Sequence, residues 1–129
     1  MFQTKKKKMR AYLDAKPLSK YTLFDQFLSD YLSGTLKEPF VQHGLKHVCF
    51  TVDCDDDFHC INVFGKYWDY YIAVEISADP DQYCISRDLE DPDCTGYGDD
   101  YPLESKEQLF EALDLEFKKS TIWNKKRRG

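Results

Sequence analysis

Eight consecutive residues combine four carboxylates, two thiols and one imidazole in the sequence DCDDDFHC, which begins at Asp53. Asp53, Asp55 and Asp57 occupy the first, third and fifth positions of a calcium-binding loop. Such a loop also needs glycine at its sixth position and a bidentate glutamate at its twelfth, where this chain has Phe58 and Phe64. The spacing therefore does not predict a calcium site.

A second aspartate-rich segment starts the same pattern and also leaves it incomplete. Its first half matches at Asp91, Asp93, Thr95 and Gly96. Its twelfth position is Pro102, which has no bidentate side chain. A metal-dependent enzyme that uses the carboxylates of these two loops stays open as an alternative function, but it is not the one that the sequence favours.

Histidines and cysteines are the candidate zinc ligands: His43, His47, Cys49, Cys54, His59 and Cys60. None of them forms a Cys-x-x-Cys pair, the spacing typical of structural zinc sites. His59 and Cys60 are neighbours in a predicted strand, so their side chains point to opposite faces. We expect no metal and no cofactor. The odd cysteine count and the lack of a secretory signal indicate free thiols in the reducing cytoplasm.

Covalent catalysis needs a nucleophile beside a base, and Cys54 with His59 is the only local thiol–imidazole pairing. The neighbouring carboxylates Asp55–Asp57 are expected to raise the thiol pKa and so to weaken the nucleophile. The chain has no Gly-x-Ser-x-Gly motif, P-loop or dinucleotide-binding glycine pattern. We therefore predict a protein that is not an enzyme.

The net charge of −5 is distributed very unevenly along the 129 residues. Residues 1–20 contain seven basic residues and one acidic residue, and residues 118–129 contain six basic residues and no acidic one. The 97 residues between them have five basic and 22 acidic residues, a net charge of −17. We expect one domain, with a basic arm over 1–16, an acidic body over 20–119 and a basic tail over 120–129, of which Lys125–Arg128 is expected to be disordered. The chain has no apolar run of about 20 residues, so no membrane partner is expected.

Apolar residues at helical spacing predict a first helix over about 20–33, with Thr22 and Asp25 at its start and Gly34 at its end. Residues 35–46 are expected to be a loop. After the strands, Ser105 and Gln108 form a capping-box pattern that begins a final helix.

Between these helices the apolar residues recur at every second position, which predicts four strands. They cover 48–53, 58–64, 67–77 and 82–87, with a turn at Asp79–Asp81. Short connections make neighbouring strands antiparallel. The predicted fold is α+β, a two-layer sandwich in which the N-terminal and C-terminal helices pack on one face of a four-stranded antiparallel meander.

Aromatic and acidic side chains at the strand ends and on the uncovered sheet face could bind another protein. The residues that we expect to bind this partner are Asp53, Asp55, Asp56, Asp57, Trp68, Asp69, Tyr71, Asp88, Glu90, Asp91, Asp93, Asp99 and Asp100. The acidic body favours a basic protein and disfavours nucleic acid, except at the two basic ends. An adaptor domain whose basic ends bind nucleic acid is a further hypothesis.

Aromatic strands followed by the acidic helix ESKEQLFEALDLEF, Glu104 to Phe117, resemble the small acidic bacterial immunity proteins that neutralise toxins. The resemblance covers about residues 45–117 and is one of general style. It implies a cytoplasmic inhibitor that blocks a basic partner such as a nuclease toxin. A phage-type DNA mimic, which inhibits a nucleic-acid-binding defence protein, has most of the same features.

Overall fold

A computed structural model describes the backbone of the chain except residues 1, 56–57, 93, 95–97 and 129, and it also leaves undescribed the side chains of residues 2–5, 55, 58, 123–124 and 126–128. The helices are α1 (Phe2–Asp14), α2 (Leu23–Ser33), α3 (Lys37–Gln42) and α4 (Lys106–Arg128). The strands are β1 (Lys46–Asp55), β2 (Phe58–Tyr67), β3 (Tyr70–Ser77), β4 (Gln82–Asp88) and β5 (Tyr101–Pro102).

The strands form one antiparallel sheet in the order β1-β2-β3-β4-β5, which confirms the predicted α+β fold and its meander. The two-residue β5 was not predicted. The alternation read in the third strand is correct: Ile72, Val74 and Ile76 are fully buried, whereas Tyr71 and Glu75 on the opposite face are partly exposed. One face of the sheet therefore lies in the core, and we call the other the outer face.

Aromatic contacts place the helices on the buried face of the sheet. Tyr31 of α2 packs edge-on against Phe50 of β1, and their ring centres are 5.8 Å apart. Phe117 of α4 stacks on Tyr67 at the end of β2, with ring centres 4.1 Å apart. A salt bridge between Lys106 Nζ and Asp30 Oδ2, 2.8 Å long, joins the first turn of α4 to α2.

Helix α2 begins with the capping box that Thr22 and Asp25 suggested. The Thr22 hydroxyl accepts a hydrogen bond from the Asp25 backbone N–H, and the Asp25 carboxylate accepts one from the Thr22 N–H. Gly34 ends the helix in the left-handed conformation, as predicted. Asp81, in the turn between β3 and β4, also accepts a hydrogen bond from the Leu23 N–H at 3.1 Å. This contact attaches the helix to the sheet.

Two segments that we expected to be a loop or a tail are helical. Residues 35–46 contain α3, in which Pro39 lies in the first turn, where proline is tolerated because its missing N–H has no helical partner. Leu36 and Phe40 are buried one turn apart and attach α3 to the core. The basic tail is the last part of α4 as far as residue 128, so Lys125–Arg128 is helical instead of disordered, and Ser120 is fully buried.

The turn that joins the second and third strands lies later in the chain than predicted. Gly65 and Lys66, predicted to connect them, belong to β2, and the turn is made by Trp68 and Asp69. Trp68 has a positive φ of 55°, which is unusual for a residue other than glycine, so its residue type gives no turn signal. Trp68 therefore lies at a hairpin turn instead of on the sheet face.

Strand β1 lies at one edge of the sheet and contains a β-bulge. Lys46 pairs with Lys66 and Cys49 pairs with Phe64, so β1 has one residue more than β2 between these two pairs. His47 within the bulge has a φ of 56°. In the part of the chain that the structure describes, no helix is long and apolar enough to cross a membrane.

Candidate functional site

Carboxylates from three separate segments converge on the outer face of the sheet. Asp53 projects from β1 and Glu75 from β3, on the side opposite the core. Asp99 and Asp100 precede β5. We call these four residues the acidic patch.

The patch residues act electrostatically on Glu75 and on two cysteines of the same face, Cys60 and Cys84. Burial, followed by the negative charge of Asp100, raises the pKa of Glu75. Burial also raises the pKa of the Cys60 thiol to about 12, with further contributions from Glu75 and Asp53. The pKa of Cys84 is raised by burial and by Asp100, Glu75 and Asp99, against a lowering contribution from Ser86. Glu75 is thus the central member of the patch.

The loop between β4 and β5 brings the last two aspartates of the patch to this face. Gly98 passes so close to β4 that a Cβ atom there would lie 2.6 Å from Cys84 Sγ and 2.7 Å from the Ile85 carbonyl oxygen. Only glycine allows this approach without a shift of the backbone. The loop therefore lies directly against the strand just before Asp99.

Two further contacts fix the start of this loop. The Asp88 carboxylate accepts hydrogen bonds from the N–H groups of Glu90 and Asp91, at 2.7 and 2.9 Å, and these bonds lower its pKa. The buried Cys94 thiol is within hydrogen-bonding distance of the carbonyl oxygens of Tyr71 and Asp91, at 3.2 and 3.0 Å. The loop is thereby attached to β3.

An apolar cleft of about 330 Å³ opens on the same face, toward the other end of the strands. Its lining includes Cys49, Phe64, Lys66, Tyr71 and Pro92. The Lys66 ammonium group is 5.1 Å from the centre of the Tyr71 ring, a cation–π distance. The outer face thus combines carboxylates at one end with an aromatic cleft and a lysine at the other.

The structure brings together only some of the residues predicted to bind a partner. Asp53, Asp99 and Asp100 form the acidic patch, and Tyr71 lies on the same face in the cleft. Asp88, the last residue of β4, pairs with Tyr71 and also lies on the outer face. The others in the described part lie in the β2–β3 turn or in the loop after β4: Trp68, Asp69, Glu90 and Asp91. Asp56, Asp57 and Asp93, and the side chain of Asp55, lie outside the described residues.

Glu75 is the patch residue that we did not predict. The alternation in its strand already assigned Glu75 to the same face as Tyr71, and this was the signal that could have identified it. The position of Asp100 opposite it depends on the loop after β4, which has no such periodicity.

Two histidines lie within hydrogen-bonding distance of a side chain that could exchange a proton with them. His43 Nδ1 is 2.8 Å from Asp114 Oδ1, and its ring stacks on Phe110. His59 Nδ1 is 3.3 Å from Cys54 Sγ, so the two residues of the opening motif do meet. Among the described residues, no group of three or more His, Cys, Asp or Glu side chains could hold a metal ion.

No protein-family model matches the chain, and no curated protein or solved structure is significantly similar to it.

Proposed function

We propose that the protein is a non-enzymatic inhibitor that docks a basic protein partner through the outer face of its sheet. The observation that supports this proposal is the convergence of Asp53, Glu75, Asp99 and Asp100 on the face that the helices leave uncovered. The charge of Asp100 adds to the effect of burial in raising the pKa of Glu75, and lysine or arginine side chains of a partner would relieve this repulsion.

The aromatic cleft gives the same face a second means of binding. Acidic residues mainly accelerate the encounter with the partner and select partners of positive charge. Desolvated aromatic side chains contribute most of the affinity. Phe64 and Tyr71 are partly exposed in the cleft and could accept an apolar side chain of the partner. The partner surface that fits is therefore basic, with an apolar side chain at its margin.

A bacterial nuclease toxin is the partner class that we propose. A surface that binds the phosphates of nucleic acid is basic, and carboxylates at suitable spacing can occupy it. An inhibitor of this kind acts by covering the surface, so it needs no reacting group of its own. The same chemistry would suit a DNA-binding defence protein, and a cleavage assay distinguishes a nuclease from such a protein.

The test is co-expression with the product of each adjacent gene, followed by purification of any complex at low and high salt. We expect a complex that high salt weakens, and inhibition of nuclease activity by the purified protein. Glu75→Lys should weaken binding at least about tenfold, since it reverses the central charge of the patch. Glu111→Lys, an exposed site on α4, is the matched control with the same change of charge.

Two results would overturn the proposal. One is a complex that forms equally well with Glu75→Lys and Glu111→Lys, both folded by circular dichroism. The other is the absence of binding or inhibition at low salt.

A further inference from the structure

Cys54 and His59 are directly opposite each other in the β1–β2 pair, and their side chains meet on the core side of the sheet. The Sγ atom is 3.3 Å from Nδ1, a hydrogen-bonding distance that allows proton transfer. Asp53, the neighbour of Cys54 in β1, projects from the outer face because side chains alternate along a strand. Its carboxylate is therefore on the other side of the sheet from the sulfur. The side chains of Asp55–Asp57, which we expected to raise the thiol pKa, lie outside the described residues.

Packing from α1 and α2 holds the imidazole in place. The ring of Tyr12 lies 4.8 Å from that of His59, centre to centre, and the ring of Phe24 lies 6.1 Å away. The Tyr12 hydroxyl accepts a hydrogen bond from Lys16 Nζ, which also contacts Asp25. His59 is thus oriented by its neighbours, as a base in a nucleophile–base pair must be.

The other four thiols lack this arrangement. Cys60 and Cys94 are buried, and Cys84 is partly buried among carboxylates. Cys49 is exposed, but no imidazole nitrogen within the described residues hydrogen-bonds to it. Cys54 is partly exposed.

We propose that Cys54 is a nucleophilic thiol, activated by His59, that forms covalent adducts with α,β-unsaturated carbonyl compounds. His59 Nδ1 accepts the thiol proton, and the Cys54 sulfur then attacks the β-carbon of the electrophile. A carbon–sulfur bond forms as the carbon–carbon π bond breaks, and the proton passes to the α-carbon. This addition needs no oxidant or reductant. The site lies on the opposite side of the sheet from the acidic patch, so it does not depend on the proposed function.

The probe is N-ethylmaleimide, added below one equivalent per thiol to the full chain, with each labelled cysteine quantified by peptide mass spectrometry. In the native protein we expect Cys54 to react at least about tenfold faster than Cys49, because only Cys54 has a base beside it. In concentrated urea the two rates should become similar. A native Cys54 that reacts no faster than Cys49 would overturn the proposal, and this comparison requires no variant.

A second comparison tests the role of the imidazole. His59→Asn should slow labelling of Cys54 about tenfold, whereas His47→Asn, which removes an exposed imidazole from the same strand pair, should not change it. Labelling of Cys49 reports the general accessibility of each variant. If folded His59→Asn keeps the wild-type rate at Cys54, His59 is not the base and the proposal fails.

Discussion

Lys16 Nζ lies 3.0 Å from Oδ2 of Asp25, a carboxylate that is completely buried in the first turn of α2. Burial by itself raises the pKa of Asp25, but hydrogen bonds from Thr22, Tyr12 and Lys16 outweigh it and hold the pKa below the usual value. The hydrogen bond to Tyr12, followed by the contacts with Asp25, raises the pKa of Lys16 to about 12. The pair therefore stays charged at neutral pH and joins the chain after α1 to α2.

Removal of Lys16 should destabilise the fold. Lys16→Met leaves the buried Asp25 charge without its cation, and we expect a loss of about 2 kcal/mol, less than for a fully buried pair because Lys16 is partly exposed. The measurement is urea unfolding at neutral pH. Lys20→Met, at an exposed lysine, is the control and should change stability by less than about 0.5 kcal/mol. Equal stability of the two variants would contradict the importance of the Lys16–Asp25 pair.

Neutralisation of Glu75 should stabilise the free protein at neutral pH. An acid whose pKa is raised in the folded state binds its proton more tightly there than when unfolded, so it reduces stability once the pH rises above the unfolded value of about 4.3. Glu75→Gln should gain about 0.5 kcal/mol at neutral pH, and the gain should disappear as the pH falls below that value. The control is Glu111→Gln. A gain that does not depend on pH would show that repulsion in the acidic patch is not its cause.

Because Gly98 lies so close to β4, adding one methyl group at this position should destabilise the fold. Gly98→Ala places a Cβ atom against the Ile85 carbonyl oxygen, so the loop must move, at a cost of about 1–3 kcal/mol. The buried Cys94 thiol should then react with iodoacetamide faster than in the wild type, since the loop no longer covers it. Asp99→Ala, the neighbouring exposed position, should leave Cys94 protected. Equal protection in both variants would contradict the contact.

Helix α3 should be essential for packing in spite of its six residues. Phe40 is fully buried between the rings of Phe50 and Phe110, at centre-to-centre distances of 6.5 and 5.1 Å. Phe40→Ala should cost about 3–5 kcal/mol in thermal or urea unfolding. Val41→Ala changes the next residue, which is 43% exposed, and should cost less than about 1 kcal/mol. Similar losses in the two variants would be inconsistent with this packing.

The fold could be predicted where a periodic pattern is long. Alternation in β3 and the helical stripe of α2 each extend over at least eight residues, so a chance match is unlikely to reproduce either pattern. Helix α3 is too short for such a signal, and its Pro39 argues for a loop unless the buried Leu36 and Phe40 are known. The Trp68–Asp69 turn contains one common turn residue, Asp69, but the positive φ falls on Trp68, a residue type that does not indicate a turn.

The acidic patch was predictable only in part. Charge counts located the acids in the body of the chain, and strand alternation could have added Glu75. That Asp99 and Asp100 join Asp53 depends on how the loop after β4 lies against the sheet, which the Gly98 contact determines. The meeting of Cys54 with His59 follows from the register of β1 and β2, which the residue types alone do not determine.

The bulge in β1 has a consequence for self-association. A ten-residue edge strand presents unpaired backbone groups to which another chain could add a strand, the first step toward amyloid-like polymerisation. The extra residue between Lys46 and Cys49 bends and twists one end of this edge, and Asp53 places a charge near the other. The pairing of β1 with β2 is regular from Cys49 to Asp55, so the bulge and the Asp53 charge are the features of this edge that disfavour edge-to-edge aggregation.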